Sequence, residues 1–105
     1  MKTIAVSGAS GFIGRWFLKL YGGHYRIVAL SRRAVKSRPA AQGNVEYVQT
    51  DYSAASLAGI LKGCEAFVHL AAKKVEPGGP ETFDDYAQNP LLTERLLYAC
   101  RDCGI

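Results

Sequence analysis

Thr3-Ile4-Ala5-Val6-Ser7-Gly8-Ala9-Ser10-Gly11-Phe12-Ile13-Gly14 decides the fold. Thr3 to Ser7 reads as a short buried strand that stops at Gly8. Beyond Gly11, the residues Phe12, Ile13, Trp16, Phe17 and Leu20 recur at helical spacing and predict a helix over 12–21, ended by Gly22-Gly23. The three glycines between strand and helix have separate jobs. Gly8 permits a sharp exit from the strand, Gly11 removes a side chain where a ligand must approach the backbone, and Gly14 lets the helix pack closely. Free amides and the positive end of the helix dipole at such a corner attract phosphate. A strand, a glycine turn and a helix in this register are the context that a dinucleotide-binding corner requires.

Working outward, Tyr25 to Leu30 predicts a second strand. Ser31 to Gly43, polar and basic with Pro39, predicts a loop with room for one helical turn. Val45 to Gln49 predicts a third strand by its period-two alternation. Ser53 suits a helix cap, with Leu57, Ile60 and Leu61 facing inward on a helix to about Lys62 and Gly63 as its stop. Ala66 to Leu70 predicts a fourth strand, and a loop with Pro77, Gly78, Gly79 and Pro80 follows. A long helical segment over about 81–103 is expected to kink or divide at Pro90. Strict alternation of strand and helix implies parallel strands with right-handed crossovers, a doubly wound α/β sheet of Rossmann type with about four strands. A further strand is expected after the last helix, so the sequence reads as the front of a larger protein, truncated before a fifth strand.

The chain has 105 residues, enough for one domain. No leader and no apolar run of spanning length is present, and Cys64, Cys100 and Cys103 form no disulfide framework; together these point to a cytoplasmic protein without a membrane partner. Cys100-Arg101-Asp102-Cys103 lacks the further ligands zinc needs and sits at a helix end, where thiolate is disfavoured, so no metal site is expected. His69, inside an apolar strand, reads as a hydrogen-bonded core histidine. The net charge of +4 carries no aromatic–basic interleaving, which argues against nucleic acid. More telling is its distribution: no Asp or Glu precedes Glu46, and Arg32, Arg33, Lys36 and Arg38 cluster in that acid-free stretch. The cluster serves an anionic partner or stands in open solvent.

The spacing Gly8-x-x-Gly11-x-x-Gly14, with Val68-His69-Leu70-Ala71-Ala72, Asp51 after the third strand, and Asn89, Thr93, Leu96 and Leu97 in the last helix, resembles the extended branch of the short-chain dehydrogenase/reductase superfamily. These are the NAD(P)-dependent epimerases, dehydratases and reductases of nucleotide sugars and related substrates. The match runs along the whole chain in order and specifies the superfamily, not a substrate. Turn and resemblance together give a candidate cofactor set: Gly8, Ser10, Gly11, Phe12, Ile13, Gly14, Ser31, Arg32, Arg33, Asp51, Tyr52, Leu70, Ala71, Ala72 and Asn89. Within it, Asp51 serves as a helix-capping acid, as an adenine contact, or as both. Ala71 and Ala72 serve close packing or the approach of the cofactor.

In NAD-dependent relatives an acid at the end of the second strand takes the ribose hydroxyls. Here that strand runs into Leu30-Ser31-Arg32-Arg33, with no carboxylate nearby. Guanidinium binds phosphate through charge-assisted, often bidentate hydrogen bonds, so NADP is expected over NAD, with Arg32 carrying the preference and Ser31 or Arg33 assisting. The resemblance also implies a catalytic Tyr-x-x-x-Lys pair, whose lysine lowers the tyrosine pKa. None of Tyr21, Tyr25, Tyr47, Tyr52, Tyr86 and Tyr98 has a lysine four residues on. The family's pair follows the next strand, beyond Ile105, so no catalytic residue is expected in this chain. Three readings stand: the cofactor-holding part of an enzyme, a non-catalytic dinucleotide sensor complete at this length, and an interaction protein that keeps the fold without the ligand. Apolar surface on the open side of a half-sheet further predicts self-association or marginal stability.

Overall fold

In the computed structural model, residues 1–34, 43–71 and 83–105 are described, with the side chains of 83–86 excepted. Four strands and three helices follow one another among the described residues: β1 (Thr3–Ser7), α1 (Phe12–Tyr21), β2 (Arg26–Ser31), β3 (Val45–Gln49), α2 (Ala54–Ile60), β4 (Ala66–His69) and α3 (Phe83–Asp102). The strands form one sheet in the order β3-β2-β1-β4, and every pairing is parallel. The chain therefore builds outward from β1 through β2 to β3, then crosses back to lay β4 on the other side. The crevice at such a reversal, outside the carboxyl ends of the strands, is where open α/β sheets bind ligands.

Strand periodicity sorts the core into two layers. Ala5, Leu30, Val28, Val48 and Phe67 face one way and pack with Leu57 and Leu61 of α2 and Leu92, Leu96 and Ala99 of α3. Val6, Ile27, Ala29, Tyr47 and Val68 face the other way and pack with Leu18 and Phe17 of α1. Successive side chains on each strand thus serve opposite layers, as a sheet covered on both faces requires. The three cysteines are free, and Cys100 and Cys103 pack against Cys64 at the edge of the first layer. Burial pushes the Cys64 and Cys100 thiols up, and the neighbouring thiols add to it. Among the described residues no group of side chains could hold a metal ion, and no helix is long and apolar enough to cross a membrane.

Three expectations shift. The apolar stripe that marks α1 as a helix is only in part the face it buries: Phe12, Ile13, Trp16 and Leu20 are exposed, whereas Phe17 packs inward beside the buried Gly14 and Leu18. The glycine is what brings the helix so near the sheet. Secondly, α3 runs through Pro90 as one helix and is not divided there. A proline removes one ladder hydrogen bond, and the residues from Leu91 to Asp102 keep their own ladder. Thirdly, α2 closes at Leu61, whose amide bonds the Leu57 carbonyl, just short of the expected end. The Ser53 cap stands as expected, its hydroxyl accepting from the Ser56 amide. Most of the expected loop after β2 and the segment with Pro77 to Pro80 lie outside the described residues.

Close backbone contact at the β1–α1 corner explains two of the three glycines. Gly8 has φ +70°, and a Cβ there would lie 2.6 Å from the Ala71 nitrogen. A Cβ on Gly14 would run into the Gly8 carbonyl oxygen and sit 2.7 Å from Cα of Ala9. Gly23, by contrast, has nothing within 4 Å. Gly14→Ala is expected to destabilise by about 1–3 kcal/mol through overpacking. Gly23→Ala is expected to be neutral or stabilising by up to about 1 kcal/mol. Urea unfolding of both variants checks the contrast.

Candidate functional site

α1 begins at Gly11, which is extended at φ −76° and ψ 175°, has no side-chain cap and is followed by a first turn without an acid. Gly11, Phe12 and Ile13 are exposed. The first-turn amides of the helix thus have no side-chain acceptor, with the dipole behind them. Gly11 itself differs from its neighbours: a Cβ there would meet only the Gly8 carbonyl oxygen, at 3.3 Å. Protein packing accounts for Gly8 and Gly14 but leaves the outer side of Gly11 open to a ligand.

This corner forms one wall of a cleft of about 720 Å³. It is lined by Gly8, Ser10, Gly11, Phe12, Ile13 and Gly14 from the turn, Ser31 and Arg32 after β2, Tyr52 after β3, and Leu70 and Ala71 after β4. Gln88, Asn89 and Leu92 of α3 complete it. The volume lies within the range of small-molecule and cofactor sites. Of the fifteen candidate positions named from the sequence, the fold gathers all but three on this lining. Arg33 and Asp51 lie off it, and Ala72 is outside the described residues. Gln88 and Leu92 were not legible, because a single sequence does not say which side of a helix turns toward the cleft.

Each wall is held by specific bonds. Ser31 is buried, and its hydroxyl contacts that of Ser10 at 3.2 Å and accepts the Arg33 amide at 3.2 Å, tying the end of β2 to the glycine turn. Arg33 is thereby engaged through its backbone. Asp51 accepts the Ser53 amide at 2.8 Å, which holds its carboxyl below the ordinary carboxylate range, with Arg95 adding to the effect. Its capping role is thus in the geometry. Tyr52 is buried and adopts φ 59°, an uncommon left-handed conformation for a non-glycine. Its amide donates to Thr50 Oγ1 at 3.0 Å and its carbonyl accepts from Arg95 at 3.4 Å. Burial pushes the Tyr52 phenol up.

The β4 wall depends on Ser7. Its Oγ accepts the amides of Leu70 at 3.0 Å and Ala71 at 3.2 Å, so neither of these amides points at the cleft. The same oxygen lies 2.6 Å from His69 Nδ1, and His69 Nε2 lies 3.1 Å from Thr93 Oγ1. Proton bookkeeping fixes the tautomer. Thr93 donates its hydroxyl proton to the Asn89 carbonyl at 3.0 Å, so it accepts from His69 Nε2–H. His69 Nδ1 is then the acceptor of the Ser7 proton. The chain Ser7–His69–Thr93–Asn89 bolts β1 and β4 to α3 behind the cleft, and it requires neutral imidazole.

Burial lowers the His69 pKa from its ordinary value near 6.5. The unfolded chain therefore binds this proton more readily than the folded one as pH falls through 6.5. Stability from this group is full above that pH and declines below it, until the folded pKa is reached. His69→Asn is expected to flatten the pH dependence of the unfolding midpoint between roughly pH 5 and 7. A slope unchanged by the substitution would contradict the assignment.

Comparison with known proteins places the corner and cleft in context. The chain is similar to a UDP-N-acetylglucosamine 4-epimerase from Bacillus cereus, with 28% identity, a TM-score of 0.80, and coverage of 100% of this chain and 33% of that one. It is also similar to a uronate dehydrogenase from Agrobacterium tumefaciens solved in complex with NAD, with 27% identity, a TM-score of 0.78, and coverage of 99% and 38%. A decarboxylating sterol-4-alpha-carboxylate 3-dehydrogenase of Dictyostelium discoideum is 29% identical over 102 residues, 95% of this chain and 31% of that protein. The chain thus spans about a third of the length of these relatives. The model of the NAD dependent epimerase/dehydratase family matches residues 4–105, and with the parallel sheet, the glycine corner and the cleft at the strand reversal in agreement, the chain belongs to that family.

Proposed function

We propose that this chain is the cofactor-holding part of an NADP-using epimerase, dehydratase or reductase acting on a nucleotide sugar or a related hydroxyl or carbonyl substrate. The observation that carries the reading is the uncapped start of α1, which lines a cleft of about 720 Å³ together with Arg32. In this reading the amides of Phe12 and Ile13 hold the diphosphate and Gly11 admits it. Ser31 and Arg32 take the adenosine ribose, and the α3 residues Gln88 and Asn89 close the far side. The bound dinucleotide supplies hydride transfer at its nicotinamide ring. Nucleotide-sugar chemistry is supported by the epimerase relative, and dehydrogenation by the uronate and sterol relatives.

The uronate dehydrogenase was solved with NAD, and NADP for this chain is inferred from its own residues. No acid stands between β2 and Glu46, and Arg32 lines the cleft where a ribose-binding acid would otherwise be needed. NADPH is expected to bind more tightly than NADH. Arg32→Ala should weaken NADPH roughly 10- to 100-fold and leave NADH little changed. Gly11→Ala should weaken both cofactors, because the added methyl faces the ligand. Calorimetric titration of the three proteins with both cofactors decides the matter: equal wild-type affinities remove the NADP preference, and no binding of either removes the reading.

Self-association is a further part of the proposal. Phe12, Ile13 and Leu20 are exposed on α1, and Leu91, Leu97 and Tyr98 on α3 at the opposite face of the sheet. Sedimentation at increasing concentration is expected to show a dimer that Leu97→Glu shifts toward monomer, and a monomer at all concentrations would contradict it.

A further inference from the structure

Arg32 is exposed, yet its position is defined at both ends. Its carbonyl accepts the side-chain amide of Gln49 at 3.2 Å, which fixes the backbone where β2 leaves the sheet beside β3. Its guanidinium carbon stands 5.5 Å from the centre of the Tyr52 ring. Among the described residues no carboxylate pairs with it. Guanidinium over a phenol face within about 6 Å is attracted by the ring quadrupole, so the ring is the described group that holds the charge in place.

The ring has in turn been placed with some strain. Tyr52 is 1% exposed, adopts the left-handed region and is bound at its amide by Thr50 and at its carbonyl by Arg95 of α3. Its hydroxyl reaches the Leu30 carbonyl at 3.5 Å, a long and weak bond, and also meets the Gly8 backbone. Filling this layer with an apolar side chain does not by itself require an aromatic ring, and the bonds of the hydroxyl do not involve Arg32. What the ring supplies that an aliphatic residue cannot is a negatively polarised face directed at Arg32, on the same cleft lining.

We infer that Tyr52 is a positioning residue for cofactor specificity, its ring holding the Arg32 guanidinium at the cleft rim in readiness for the 2′-phosphate of NADP. The inference rests on the NADP reading above. Ordering a long cationic side chain before the ligand arrives removes part of the entropy lost on binding, and that gain is specific to the ligand that Arg32 touches. An unordered Arg32 would still bind the phosphate, with less discrimination.

The test measures dissociation constants for NADPH and NADH on the intact protein, its Tyr52→Leu and Tyr52→Phe variants, and both substitutions in an Arg32→Ala background. Tyr52→Leu is expected to lower the NADPH-over-NADH preference about 3- to 10-fold, with NADH affinity nearly constant. Tyr52→Phe keeps the ring face and should keep the preference. In the Arg32→Ala background neither substitution should change the ratio further, because the coupling partner is gone. Tyr52→Met takes the place of Tyr52→Leu if the latter does not fold. A wild-type ratio of one overturns the NADP reading and this inference together. A wild-type preference that survives Tyr52→Leu, falls as far in Tyr52→Phe, or falls again in the Arg32→Ala background overturns the inference alone.

Discussion

Backbone lies directly against backbone where β1 turns into α1, and the rest of the site depends on that contact. Gly8 reaches the start of the segment after β4 with no room for a Cβ, and Gly14 lays the first turn of α1 on the carbonyl of Gly8 and on Ala9. Side chains at either position would lift the helix from the sheet. With the helix held down, its first turn lies above the carboxyl ends of the parallel strands, where the order of the sheet reverses between β1 and β4. The uncapped start of α1 and the cleft at the strand reversal then coincide.

Polar groups behind that corner are spent on holding it together. The hydroxyl of Ser7, fully buried, takes two amides of the β4 exit and gives its own proton to His69, which passes the restraint to Thr93 and the Asn89 carbonyl. Ser31 does the same on the other side, joining the β2 exit to Ser10. No buried side-chain polar atom of the described residues is left without a partner, in keeping with the penalty for burying an unpaired polar group. The start of α1, by contrast, has no side-chain cap and no acid in its first turn, and in the proposed reading it is left for a ligand's phosphates.

Electrostatics distinguish the two ends of the cleft. The β2 end carries Arg32 in a stretch of chain without acids, and Asp51, after β3, lies off the lining and accepts the Ser53 amide. The α3 end is uncharged on the lining, with Gln88 and Asn89 as its polar groups. A ligand carrying its charge at one end and a neutral ring at the other suits that distribution.

The sequence by itself determined the order of elements, the parallel sheet, the corner and the family, because each rests on local signals: β-branched runs of four to six residues, a glycine triplet at fixed spacing, a Ser53 cap. Strands β1 and β3 fall where the alternation places them, and β2 and β4 differ from expectation by one residue at their ends, where pairing with a neighbour decides the boundary. The inward face of α2 was legible too, with Leu57, Ile60 and Leu61 in the core as expected, whereas contacts between distant segments settled which sides of α1 and α3 face in. Of the stripe that marks α1 as a helix, Phe12, Ile13, Trp16 and Leu20 stand in solvent, since Gly14, Phe17 and Leu18 make the contact. Gln88 and Leu92 turn toward the cleft, Arg33 and Asp51 turn from it, and Tyr52 comes to lie under Arg32 by a left-handed backbone that no propensity favours. Those outcomes depend on contacts between segments far apart in the chain, and composition and spacing carry no information about such contacts.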